Sequence, residues 1–212
     1  MSAVLAFDTG TVRHRLMLSL EQLKASERAR LNSVLRFAED LLEGQFRAIT
    51  RLAGVPEPYV VHHMRVARII IEELDLKDPE VISAALLHDV LEKTKFDVSV
   101  TDIEECCGRS IALSVAILTK PFPDSEIARF AQLGTFYGRI RQSHIATRLV
   151  FLADRLDNMR DAINLADSTR QQSLLEETRS VHLAIAQNSD QYLFDELESA
   201  CEALAKQISQ KD

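Results

Sequence analysis

The chain has 212 residues, 46% of them hydrophobic and 27% charged, with a formal net charge of −7 at pH 7. One globular domain is the default at this length and composition, and the negative balance disfavours generic nucleic-acid binding, which draws on clustered Lys and Arg. Six Gly, five Pro and no Trp, among abundant Leu, Ala, Glu and Arg, point to an all-α protein.

Residues 1–10 show no basic-then-apolar signal pattern and read as a loose tail. From Val12 to Leu52 apolar residues recur at helical spacing, among them Leu16, Leu20, Leu31, Leu35, Ala38 and Leu42. Ser26, followed by Glu27, is placed to cap and split this stretch into two helices. Gly54-Val55-Pro56-Glu57-Pro58 is the first loop, and a helix is expected from Tyr59 to Leu74. Asp78-Pro79-Glu80 combines a capping Asp with Pro in the first turn, and launches a helix that carries His88-Asp89.

Thr101-Asp102-Ile103-Glu104 reads as a capping box opening a short helix that stops near Gly108. Another helix spans Ser110 to Leu118, and Pro121-Phe122-Pro123-Asp124 turns the chain. Residues 125–143 are basic and weakly helical, with Gly134 and Gly138 against a helix. Ile145 to Leu165 is an apolar run interrupted by acid, and residues 170–209 suit one or two amphipathic helices. No repeat, strand pair, dividing linker or membrane-length apolar run is visible. The expected organisation is an N-terminal extension (1–25), a core (26–166) and C-terminal helices packed on it (167–212). Cys106, Cys107 and Cys201 form neither a disulfide framework nor a zinc knuckle, which suits a cytoplasmic compartment.

Ala84-Ala85-Leu86-Leu87-His88-Asp89-Val90-Leu91-Glu92-Lys93-Thr94 carries the chemistry. A carboxylate in so apolar a run costs several kcal/mol, roughly, unless a cation or hydrogen bonds compensate it. On a helix Glu92 falls four residues after His88 and three after Asp89, so all three share a face. Imidazole beside carboxylate suits a divalent metal with a base for its water; a buried His-Asp hydrogen bond is the plainer alternative. His62, His88, Asp89 and Asp154 together give two imidazoles and two carboxylates, a donor set for manganese, iron or zinc. Of the adjacent His62 and His63 only one can face such a site, leaving the other at the surface or behind the ligands. His14, His144 and His182 have no partner pattern.

Three blocks in order carry a resemblance: Glu57-Pro58-Tyr59-Val60-Val61-His62, then Ala84 to Thr94, then Leu152-Ala153-Asp154-Arg155-Leu156-Asp157-Asn158-Met159-Arg160. They resemble the HD metal-dependent phosphohydrolase superfamily, and within it the hydrolase domain of the Rel/SpoT alarmone enzymes and the stand-alone small alarmone hydrolases. The resemblance implies a single-domain, all-α HD-type helical bundle that binds manganese through His62, His88, Asp89 and Asp154. It implies removal of pyrophosphate from the 3′ position of guanosine tetra- and pentaphosphate, with an adenine counterpart open. Glu92 would activate the attacking water, Asn158 would contact the nucleoside, and Arg51, with Arg47 second, would pack on guanine.

Three positions depart from the family pattern. Lys93 replaces an Asp and is a candidate for phosphate contact in the catalytic centre. Phe151 stands in place of a Lys, and His63 in place of a Pro. Within the basic stretch from Arg139, Arg148 is a candidate to line the substrate phosphates. A small nucleotide substrate, no nucleic acid or membrane partner, and a homodimer through the helical ends complete the expectation. Another HD phosphohydrolase, a nucleotidase or phosphodiesterase, and a weakly catalytic nucleotide-binding module are the alternatives.

Overall fold

The computed structural model describes residues 9–47, 56–121, 125–165 and 167–210. The order of elements is α1 (Thr9–Leu20), α2 (Ala25–Leu41), β1 (Phe46–Arg47), β2 (Glu57–Pro58), α3 (Tyr59–Arg68), α4 (Pro79–Leu87), α5 (Val90–Lys93), α6 (Val100–Cys107), α7 (Arg109–Leu118), α8 (Glu126–Gln142), α9 (Ile145–Ala162), α10 (Ser168–Glu177), α11 (Leu183–Ala186) and α12 (Gln191–Ser209). The protein is an all-α bundle. Five-residue π-turns extend α3 through Ile69–Glu73 and join α10 to α11 through Thr178–His182.

Most helix boundaries follow local capping chemistry. Asp78 accepts from the Glu80 amide with Pro79 next in line, starting α4 as expected. The box that opens α6 is Ser99 with Asp102, two residues before the expected Thr101-Glu104 pair. Gly108, at φ +97°, separates α6 from α7 in a conformation that a Cβ would strain. Ser26 does not divide the first stretch: the break falls at residues 21–24, where the Lys24 amide donates to Glu27 at the head of α2.

Two further expectations are corrected. A strand pair does exist: β1 and β2 run antiparallel, with Phe46 opposite Pro58 and Arg47 opposite Glu57. The Tyr59 amide donates to the Gln45 carbonyl at 2.9 Å, so this short ladder fixes where α3 begins. The helix through His88-Asp89 is also not continuous. It ends at Leu87, Asp89 adopts φ −126°, and a single turn, α5, restarts the chain.

One hydrophobic core runs from Val12 on α1 to Leu204 on α12, so the terminal helices share it with the middle of the chain. Val61, Met64 and Ile70 of the α3 segment, Leu86 and Leu87 of α4, and Leu152 and Leu156 of α9 are fully buried. Each such aliphatic side chain stabilises the fold by roughly 1.5–3 kcal/mol. Arg160 on α9 clamps Glu73 and Glu196 at 2.7 and 2.8 Å, tying α9 to the end of the α3 segment and to α12. Helices α3, α4 and α9 pack on one another as three walls around one polar centre. Among the described residues no helix is long and apolar enough to cross a membrane.

Candidate metal centre

The centre draws on all three walls. Helix α3 contributes His62 and His63, the α4–α5 break contributes His88 and Asp89, and α9 contributes Asp154. His62 Nε2 stands 3.0 Å from Asp154 Oδ1, and His88 Nε2 stands 3.6 Å from the same oxygen. His63 Nε2 lies 2.6 Å from Asp89 Oδ1, and His88 Nε2 lies 3.8 Å from it. The four expected ligands, joined by His63, therefore meet as two overlapping triads, His62–His88–Asp154 and His63–His88–Asp89, with donor atoms within 4.8 Å of one another in each.

Of the two places expected for His63, surface or behind the ligands, the structure shows the buried one. His63 is fully buried, directly behind Asp89, and is neither at the surface nor idle.

Why the chain breaks at His88-Asp89 follows from helix ends. The last carbonyls of α4 have no donors within the helix. His88 Nδ1 lies 2.9 Å from the Ala85 carbonyl and His63 Nδ1 lies 2.8 Å from that of Leu86. Asp89 heads α5 but its side chain caps nothing there, which leaves the carboxylate to the centre.

On α9 the polar residues recur at i, i+3, i+4 and i+7, a single stripe. Asp154 faces the imidazoles. Asp157 Oδ2 meets His62 Nδ1 at 2.7 Å, and Asn158 Nδ2 donates to Asp154 Oδ1 at 2.6 Å. Asp161 closes the stripe among Arg47 and Arg65.

The electrostatics ask for a cation. Burial disfavours charge on His88, yet the Asp89 and Asp154 carboxylates overcome it and lift its pKa to about 9. Burial likewise works against Asp154, whose hydrogen bonds to His62 and His88 hold it well below the usual carboxylate range. For His63 burial dominates and pushes the pKa down despite Asp89. Three buried atoms of the centre, His63 Nε2, His88 Nε2 and Asp89 Oδ1, have no aligned hydrogen-bond partner. Imidazole nitrogens and carboxylate oxygens of this kind, left over and converging, fit a divalent ion.

A cavity of about 120 Å³ opens over the centre, lined by His62, His88, Asp89, Asp154, Glu92 and Asn158 among others. A second space of about 330 Å³ adjoins it through Tyr59, Lys93, Lys120 and Asn158, and reaches Arg47, Arg155 and Arg170. Glu92 is half-buried, and its partial burial with Asp89 nearby raises its pKa. The Lys120 amide donates to Glu92 Oε1 at 2.5 Å, holding the carboxyl in place. Lys93 Nζ is 3.5 Å from Glu92 Oε2 and 5.6 Å from the Tyr59 ring centre, so it sits at the mouth of the site.

Other expected residues fare differently. Arg47 borders the larger space, but its guanidinium is taken by Asp161 at 2.5 Å, Glu57 at 3.2 Å and Asn158 at 2.7 Å. Two buried carboxylates and the Asn158 amide hold it at the edge of that space. Arg148 lines neither space: six residues before Asp154, it lies about 9 Å back along α9 on another face. Arg51 lies outside the described residues.

Sequence reading gave no role to Lys120, Tyr59, Asp157 or His182. The buried His182 ring stacks on Phe151 at 4.7 Å and accepts from Arg155 Nε at 3.1 Å, packing the wall behind the cavity. Only the Asp at 157, at helical spacing from Asp154, left a signal that could have been read.

The description "HD domain" matches residues 35–191, most of the chain. The chain is 34% identical over 161 residues to the Escherichia coli K12 bifunctional (p)ppGpp synthase/hydrolase SpoT, covering 74% of this chain and 21% of that one. It is 40% identical over 106 residues to the Danio rerio guanosine-3′,5′-bis(diphosphate) 3′-pyrophosphohydrolase MESH1, covering 49% of this chain and 55% of that one. It spans about a fifth of the length of SpoT and about half of that of MESH1. The solved structure of a metazoan ortholog of SpoT that hydrolyzes ppGpp superposes with a TM-score of 0.71 at 25% identity, over 82% of this chain and 95% of that one. With its His-Asp step set at a helix break between three buried walls, this chain is a member of the HD-domain family.

Proposed function

We propose that the chain is a metal-dependent 3′-pyrophosphohydrolase acting on guanosine tetra- and pentaphosphate, with adenine counterparts as the nearest alternative. The observation that carries this reading is the convergence of His62, His88, Asp89 and Asp154, with His88 Nε2 and Asp89 Oδ1 lacking an aligned hydrogen bond in the cavity that Glu92 also lines. Relatives named for that activity support it. These four residues are assigned as ligands of a divalent ion, manganese being our choice. The ion's chemistry is to lower the pKa of water and to polarise a phosphoryl oxygen.

The protein's own groups supply the rest. Glu92 is assigned as the base: its Oε1 is held by the Lys120 amide, which leaves Oε2 to take a proton from the attacking water. A pKa raised by burial keeps it nearer the working pH, which suits a base. Asn158, anchored by Arg47 and bonded to Asp154, borders both spaces and is assigned to the nucleoside. Departing pyrophosphate carries several negative charges, and Lys93, Lys120, Arg155 and Arg170 line the space it would occupy. We assign the protein to the cytoplasm.

Incubating the manganese-loaded protein with ppGpp, ppApp, cyclic dinucleotides and nucleoside monophosphates tests the proposal. Pyrophosphate released from the first two is the expected result. Orthophosphate from the monophosphates, or linear products from the cyclic dinucleotides, would move the chain to another HD activity. Binding of ppGpp without turnover would make it a nucleotide-binding module.

A further inference from the structure

We propose that His63 is a fifth protein ligand of the divalent ion, so that three imidazoles, not two, surround it. This rests on the metal-centre reading above. The case begins with hydrogen-bond capacity. A neutral imidazole has one N–H and one lone pair. His63 Nδ1 is 2.8 Å from the Leu86 carbonyl, which only accepts, so the N–H is at Nδ1. His63 Nε2 then presents its lone pair to the Asp89 carboxylate oxygen 2.6 Å away, two acceptors facing each other in a fully buried place.

The other tautomer only moves the conflict to Leu86, and a doubly protonated ring would satisfy both partners only by burying a further charge 4.4 Å from the His88 ring. A cation shared by Nε2 and Asp89 Oδ1 removes it, and neither atom has an aligned hydrogen-bond partner of its own.

The other two rings are committed in the same way. His62 Nδ1 is on Asp157 and His88 Nδ1 on the Ala85 carbonyl, so all three Nε2 atoms are left for one centre. The His63 and His88 rings are 4.4 Å apart, and His88 belongs to both triads. Its single Nε2 lone pair serves one cation, which puts both triads on the same ion rather than on two. A Pro at position 63 could offer no such donor, so this coordination is a property of the present chain.

Cobalt(II) reports the count directly. In the cobalt-substituted full chain each ligating imidazole gives one hyperfine-shifted, solvent-exchangeable Nδ1–H proton resonance. Three are expected, and His63→Gln should leave two and weaken cobalt binding at least about tenfold, as loss of well-placed metal contacts does. Two resonances in the wild type, with cobalt bound one per chain, would overturn the role of His63 and leave the metal centre standing. Failure of the wild type to hold cobalt at all would overturn both. Should His63→Gln not fold, the wild-type count still decides.

Discussion

Asp157 Oδ2 lies 2.7 Å from His62 Nδ1, fully buried, while Arg65 holds the same carboxylate through Nε at 2.8 Å and Nη2 at 2.9 Å. The carboxylate fixes which nitrogen of His62 carries the proton and so turns Nε2 toward Asp154. Arg65 also reaches Glu57 and Asp161, both at 2.8 Å, so the ring orientation is anchored in a five-residue network with Arg47. Asp157→Asn is expected to weaken metal binding by about 10–100-fold, the usual effect of losing a carboxylate behind a metal-bound imidazole. Chelator competition measures this. Unchanged affinity would mean that His62 needs no such anchor.

Glu92 and Asp89 should separate cleanly. Glu92→Gln keeps the shape and the Lys120 hydrogen bond but cannot take a proton, so metal content should persist while turnover falls by about 10²–10⁴-fold. Asp89→Ala should lose both. Metal analysis beside pyrophosphate release tells the two apart, and a Glu92→Gln protein with normal turnover would remove Glu92 as the base.

Lys93 sits between Glu92 and the Tyr59 ring at the entrance to the site. If it holds a substrate phosphate, Lys93→Asp should raise KM for ppGpp with kcat changed far less. A large rise in ppGpp hydrolysis would instead show that the lysine suppresses that reaction.

Glu177 gives a pH prediction away from the metal. Burial raises its pKa, but Arg155 at 2.7 Å, Lys120 and the Tyr137 hydroxyl outweigh this and bring it down to about 2. A group lowered on folding stabilises the protein above its unfolded value, near 4.3, and the benefit fades as pH falls toward about 2. Glu177→Gln should therefore be less stable than the wild type at pH 7, the two converging in acid. Urea unfolding of both proteins from pH 7 to pH 3 measures the gap; a gap constant with pH contradicts the assignment.

What the sequence alone determined is local or periodic. Helical spacing of apolar residues marked α2, α4, α7 and α9, because burial of one face demands that period. Asp78-Pro79 and Gly108 set helix ends through backbone geometry that needs no distant partner. The residue types of the centre were legible too, since buried carboxylates and imidazoles in apolar runs require compensation.

Tertiary structure decided which of them face which. The break at His88-Asp89 depends on His63, 25 positions earlier in the numbering, standing against the end of α4. Arg47 is held by Asp161, 114 residues away, a partner that no local pattern announces. Asp157 acquired its role only when α9 came to lie against α3. Periodicity tells which face of a helix is buried; the charge that meets it there belongs to another part of the chain.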